Sequence, residues 1–278
     1  MIEVRLADDA LAIGRWLQVA FQRTLRVPDD GRTYPLPAGL GRLPLRQVAG
    51  GFALPLHDLE ALWIAFDATP WHPVAVQVAL GGINAVTGEP LAERLSRDDY
   101  LVAPPQPWLD GVNASNGAVR QFVARPLGSG HTVEGLLTGR EESGGLELRV
   151  VEPKPGRFPE EPPEPPERPL RAAAAMGLGT GGAIEQKLYP DPYGLDIWDE
   201  NASVRVHVEL LPAAAWPQAT GEPAPPTPIR QEDYLRLGIP WFHLDDEQLD
   251  DLPPAPRFNC PVDCRSGAPG ARGEPDSR

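Results

Sequence analysis

"MGLGTGGAIEQKLYPDPYG", Met176–Gly194, holds a literal G-x-G-x-x-G at Gly177, Gly179 and Gly182. As a phosphate-cradling loop it would make the chain a parallel α/β protein; as glycines beside a strand it would leave the chain free to be all-β. The dinucleotide fingerprint needs a buried strand before it and an amphipathic helix after it. Before Gly177 stands "RPLRAAAAM", which has no β-branched residue. After Gly182, Ile184, Gln186 and Leu188 alternate, and Pro190 stops any helix after about two turns. Asp199 falls near the place of a ribose-binding acid but at no evident strand end. The stretch is expected to be a flexible turn entering a strand, with no nucleotide bound.

Working outward, the same two-residue alternation recurs on both sides. It runs through "LQVAFQRTLRV" (Leu17–Val27), "VAVQVAL" followed by "GGINAV" (Val74–Val86), and "AVRQFVAR", "TVEGLLTG" and "LELRVVE" between Ala118 and Glu152. "VRVHVEL" (Val204–Leu210) repeats it. Short strands at close spacing predict a mainly β fold, an antiparallel sandwich or jelly-roll-like arrangement with a few short helices and Pro-rich loops. "LHDLEALWIAF" (Leu56–Phe66) suits a helix behind Asp58 or a strand equally. "TPIRQEDYLRLG" is the best helix, with Thr227 as N-cap, Pro228 in the first turn and Gly238 as terminator. "DDYLVAPPQPWLD" (Asp98–Asp110) and "EDYLRLGIPWFHLD" (Glu232–Asp245) echo one another, each expected to be a short helix feeding an extended segment anchored by Trp108 or Trp241.

The 278 residues include 35 Pro and 28 Gly, which favours turns and short strands over helices. "EPKPGRFPEEPPEPPERPL" (Glu152–Leu170) is acidic and proline-rich, and from Leu252 onward no apolar periodicity remains. The expectation is one β-rich domain over 1–251 with a disordered Pro/Glu-rich insertion at 152–170, then a disordered tail over 252–278. The net charge of −14 argues against nucleic acid as a partner. Two aspartates in "MIEVRLADDALAIGRWLQVAF" argue against a signal peptide, and no stretch is apolar enough to span a membrane. A cytoplasmic protein is expected, and the near-exclusive use of Arg over Lys suggests a GC-rich, actinobacterial genome. Cys260 and Cys264 in "NCPVDC" read as free thiols, because two ligands do not hold a structural zinc.

Candidate chemistry is thin. "DPYGLDIWDENASV" (Asp191–Val204) gathers carboxylates without the spacing of a calcium loop. His243 stands beside Asp245, Asp246 and Glu247, a ligand type that suits a divalent metal but lacks a second histidine. Ser129 lies two residues from His131 in "LGSGHTVEG", on one face if the chain is extended, with no orienting acid in view. A glycine-flanked hairpin tip explains that stretch equally well.

"FQRTLRVPDDGRTYPLPAGLGRLPL" (Phe21–Leu45), "GGINAVTGE" (Gly81–Glu89), "PQPWLDG" (Pro105–Gly111), "VRQFVARPLGSGHTVEGLLTG" (Val119–Gly139) and the 176–200 stretch resemble a widespread bacterial and fungal protein family with no established activity. The resemblance spans about Val19 to Glu247. It implies a family role for these loops but assigns no catalytic residue, and His131 stands where the family pattern has an aromatic residue.

The function expected is a non-catalytic binding or assembly module without cofactor or metal, its partner a protein or a second copy of itself. Arg120, Gln121 and Phe122, with Ser129 and His131, form the candidate recognition surface. The alternative is a metal-dependent hydrolase or carbohydrate-active jelly roll that brings Asp196, Asp199, His243 and Asp245 together.

Overall fold

A computed structural model describes residues 2–48, 51–114, 118–160, 177–239, 241–242 and 252–258. Two large sheets carry the fold. The first runs, edge to edge, Val4–Ala7, Ala10–Ile13, Leu17–Thr24, Ala61–Ala68, Val119–Arg125, Gly177–Ile184 and Thr33–Tyr34. Trp108–Leu109, Gly111–Asn113 and Gly39–Arg42 pair as short additions onto three of these strands. The second sheet runs Ile83–Asn84, Val74–Leu80, Leu146–Pro153, Trp198–Pro212, Gly51–Leu56 and Arg46–Val48, with Leu101–Ala103 also on Val74–Leu80.

The two-residue period explains why these sheets stack. Leu17, Val19 and Phe21 face inward with Leu62, Ile64 and Phe66 from the first sheet. Val74, Val76, Val78, Leu148, Val150, Val206 and Val208 answer them from the second, all in one buried cluster. Each such side chain contributes about 1.5–3 kcal/mol by leaving water. The Val74–Leu80 strand is buried on both faces, since residues 95–102 and Trp198 cover its outer side in a second apolar cluster. A near-continuous apolar run is what a strand covered on both faces requires.

The fold is mainly β and sandwich-like, as the alternation predicts, but it is not wholly antiparallel. Gly177–Ile184 pairs parallel with Thr33–Tyr34, and Trp198–Pro212 pairs parallel with Gly51–Leu56. The partners are far apart in sequence, so no hairpin forces them to run in opposite directions.

Several local expectations change, and one left open is decided. "TVEGLLTG" folds as the helix Val133–Thr138, because the Thr132 side chain accepts from Gly135 N and Gly139 closes the other end at φ +74°. These caps outweigh the brief alternation. "ALWIAF" is strand, within Ala61–Ala68. The later helix begins at Gln231 rather than beside Thr227, and residues 98–100 form a turn instead of its counterpart. Glu152 and Pro153 continue a strand, Lys154 N donates to Ile197 O, and Phe158 packs edge-on to Tyr193. The strand and its contacts therefore continue through Phe158, inside the expected insertion. Leu252, Ala255 and Phe258, placed by the sequence in the tail, are buried in the main core; the rest of the insertion from 161 and the tail from 259 lie outside the described residues.

The glycines of the opening stretch are the strand itself, rather than a turn leading into it. A Cβ on Gly182 would lie 2.2 Å from Pro28 O, and one on Gly179 would lie 2.6 Å from His131 O. Backbone from neighbouring segments occupies the space a side chain would need. Gly182→Ala is expected to cost about 1–3 kcal/mol through this overpacking. A lower urea midpoint at unchanged slope would show it, whereas a wild-type midpoint would mean that the Pro28 segment yields freely.

Candidate functional site

The residues singled out from sequence that are among the described residues do not converge. Gln121 is fully buried; its Oε1 accepts from Val27 N at 3.0 Å and its Nε2 donates to Leu25 O at 2.9 Å. Phe122 is a core residue, and Arg120 donates to Asp29 Oδ1 at 3.0 Å. These three hold the first sheet together and offer no exposed recognition surface. Ser129 and His131 are exposed in a turn that leads into the Val133–Thr138 helix, not at a hairpin tip. Their contact runs from His131 backbone N to Ser129 Oγ at 3.3 Å. The Glu141 carboxylate pins this turn by accepting from Gly130 N, Thr132 N and Thr132 Oγ1, bonds that hold its pKa below the ordinary value despite partial burial.

The carboxylates of 191–200 are likewise engaged one by one. Asp191 Oδ2 accepts from Tyr100 Oη and from Trp198 Nε1, the latter at 3.1 Å, and its Oδ1 accepts from Tyr193 N. Asp196 is exposed and pairs with Arg157 at 3.2 Å. Asp199 accepts from Asn201 N, and Glu200 pairs with buried Arg149. Among the described residues no three His, Cys, Asp or Glu side chains gather closely enough to hold a metal ion. His243 and Asp245, with Cys260 and Cys264, lie outside the described residues. No described helix is long and apolar enough to cross a membrane.

A site that the sequence reading missed lies on the first sheet. A cleft of about 380 Å³ is bounded by residues 36–39 on one side and by Trp63, Trp108 and Asp110 on the other. Strand alternation sets Leu62 and Ile64 into the core and turns Trp63 outward. Trp108 pairs with Ala65 on the same strand, which brings the two indoles to 5.8 Å between centroids, tilted by 53°. Gly39 leaves room for them, since a Cβ there would sit 3.1 Å from the Trp63 ring.

Two buried glutamines fix the segment that carries Trp108 and Asp110. Gln186 Oε1 accepts from Asp110 N at 2.9 Å, while its Nε2 donates to Trp108 O at 3.0 Å. Gln106 Nε2 donates to Trp108 O at 3.0 Å and to Lys187 O at 3.2 Å, and its Oε1 accepts from Tyr189 N. Phe122 N donates to Asp110 O, and Gly111 lets the chain pass Arg120 O, where a Cβ would lie at 1.9 Å. The Gln231–Arg236 helix braces the opposite wall: buried Tyr234 accepts from Ala38 N at 2.6 Å, and Trp241 pairs with Pro37.

Asp110 is 2% exposed, and its Oδ2 is buried without a hydrogen-bond donor. Burial raises its carboxyl from the ordinary 3.8 to about 8, opposed only by a hydrogen bond with the Trp108 side chain. No charged side chain contributes to the shift. A second cleft, of about 320 Å³, is lined by Arg97, Tyr100 and Asp191, but its Asp191 carboxylate is already satisfied from within the chain. The Asp110 cleft alone of the two keeps an unmet polar atom.

No family model, curated protein or solved structure matches the chain. The motif resemblance therefore brings no activity to these residues, and the functional argument rests on their geometry.

Asp110 links stability to pH with a definite sign. Folded, it holds its proton up to about pH 8; unfolded, it loses the proton above about pH 4. Its contribution to stability is thus fully present below about pH 4 and is lost as pH rises toward about 8. Asp110→Asn removes the titration, so the variant should gain on the wild type across this window at a rate approaching ~1.4 kcal/mol per pH unit. Denaturant unfolding at about pH 4, 6 and 8 checks this; a gap that does not change with pH would mean that the folded carboxyl is ionised.

Proposed function

We propose that the protein is a non-catalytic binding module and that it recognises its ligand in the Trp63–Trp108–Asp110 cleft. One observation carries the reading: a carboxyl with a buried oxygen that has no donor among the described residues belongs to a residue lining a cleft that two half-buried tryptophans share. A buried polar atom left unpaired costs about 1–3 kcal/mol, and a ligand that supplies the missing partner recovers it. The volume falls within the range of small-molecule sites, which combine a mostly apolar lining with few polar groups.

Holding a ligand suits this lining better than transforming one. General acid–base or covalent catalysis needs a second acid, base or nucleophile within reach of the first. Asp110 is the one titratable side chain among the seven described residues that line the cleft. The two tryptophans supply large, stiff contact area at low entropic cost, as binding hot spots do. Gln106 and Gln186 act as positioning residues, fixing the backbone from which Trp108 and Asp110 project.

The test is a ligand screen by native mass spectrometry, grouped by chemical class and followed by tryptophan fluorescence. A binder should occupy one site per chain, perturb the fluorescence and be recovered chemically unchanged. Trp108→Ala should weaken it by at least about tenfold, with an unaltered far-UV circular dichroism spectrum. Conversion of the bound compound would overturn the binding-module reading.

A further inference from the structure

Resting on that reading, we infer that the cleft takes an alkylammonium ion, its cationic head against Asp110 and its carbon-bonded face against the Trp63 and Trp108 indoles. The argument starts from what lines the site. Leu36, Pro37, Ala38 and Gly39 provide one wall, and among the described residues no lysine, arginine or histidine lines the cleft. An anionic ligand would find no counter-charge there. A sugar would need several hydrogen-bonding side chains around its ring, whereas among the described residues Asp110 is the single acidic or amide side chain in the lining. What remains is a carboxyl whose Oδ2 has no donor among the described residues, in a cleft that two electron-rich rings also line.

An ammonium group answers both features at once. It gives Asp110 the opposite charge that none of the described residues provides, and it is attracted to an indole face by about 0.5–2 kcal/mol, more as water is excluded. The protein's net charge of −14 draws cations toward its surface. The raised pKa of Asp110 fits the same picture, because it reflects burial with no cation near. A bound cation would favour the ionised form and draw the proton off.

The groups that face Asp110 keep this coupling simple. Trp63 comes from the Ala61–Ala68 strand, Trp108 from the same short segment as Asp110, and Gln186 from the stretch after Gly177–Ile184; none of them titrates near neutral pH. From Val119–Arg125 the neighbours are the Phe122 amide and the Arg120 carbonyl, with the Arg120 guanidinium turned to Asp29. Choline, whose charge is permanent, should therefore report Asp110 alone.

The full chain would be titrated calorimetrically with choline, with its neutral isostere 3,3-dimethylbutan-1-ol, with butylammonium, with N-acetyl-lysine methylamide and with methyl glucoside. The expected result is choline or butylammonium binding at least about tenfold tighter than the neutral alcohol. Choline affinity should climb with pH toward about 8, and Asp110→Asn should abolish the climb and reduce the preference for charge to what the indole faces supply. Trp108→Phe, which keeps an aromatic face, should retain the charge preference at reduced affinity. The lysine derivative binding as well as butylammonium would identify a protein side chain as the source of the ammonium; its exclusion would identify a free amine. Equal or tighter binding of the neutral alcohol or the glucoside would overturn the ammonium assignment and leave the binding-module reading standing. If no probe, charged or neutral, binds at millimolar concentration, both fall.

Discussion

The strand Gly177–Ile184 must pass where there is no room for side chains. Pro28 O, His131 O and the Val123 side chain each approach within 2.6 Å of the positions that its Cβ atoms would take. Glycine at 179, 181 and 182 is the only composition that fits, and the closeness has consequences beyond the strand. It completes the first sheet against Val119–Arg125 and carries the chain through Glu185 N on Tyr34 O to Gln186. Gln186 then clamps Asp110 N and Trp108 O. Crowding at one strand thus decides where the cleft's two principal side chains stand.

This dependence explains what the sequence could and could not disclose. Strands declare themselves locally, because one buried face imposes alternation on consecutive residues. The 17–27, 74–80, 118–125, 146–152 and 204–210 segments were legible for that reason. The helix Val133–Thr138 was not, since its six residues are too few for a helical period and its signal rests in the caps Thr132 and Gly139. The glycine run reads locally as a turn entering a strand and is itself strand; close backbone approach is a long-range fact that no local window contains.

The cleft was harder still, because residues 36–39, Trp63, Trp108–Asp110 and Gln186 meet only after folding. A faint local signal does exist in "PQPWLDGVNA", where one carboxylate interrupts a run that otherwise reads as buried. Leu109, Gly111 and Val112 are all buried. An acid inside such a run is either paired across the fold or held for something outside it, and sequence cannot separate these cases. The echo of "PW" at Trp108 and Trp241 carries similar content: both tryptophans come to the 36–39 segment, one lining the cleft and one pairing with Pro37 behind it.

Burial of a carboxylate is not in itself a mark of function, as a comparison within this chain makes plain. Glu60 is as buried as Asp110, yet it pairs with Arg23 and accepts from His57 N. Glu134 lies under the 142–144 turn and accepts from three successive backbone amides. Asp99 accepts from both the amide and the hydroxyl of Ser96. Each of these acids is enclosed together with its own donors, so its burial is explained by the fold that surrounds it. Asp110 differs in one respect, the Oδ2 atom that none of the described groups reaches, and it is the only carboxylate oxygen among the described residues left in that state. An unmet acceptor costing about 1–3 kcal/mol is a large charge on a marginally stable domain. The glutamines that fix the Trp108 and Asp110 backbone, and the two indoles that line the same cleft, are the features on which the binding reading proposed above rests.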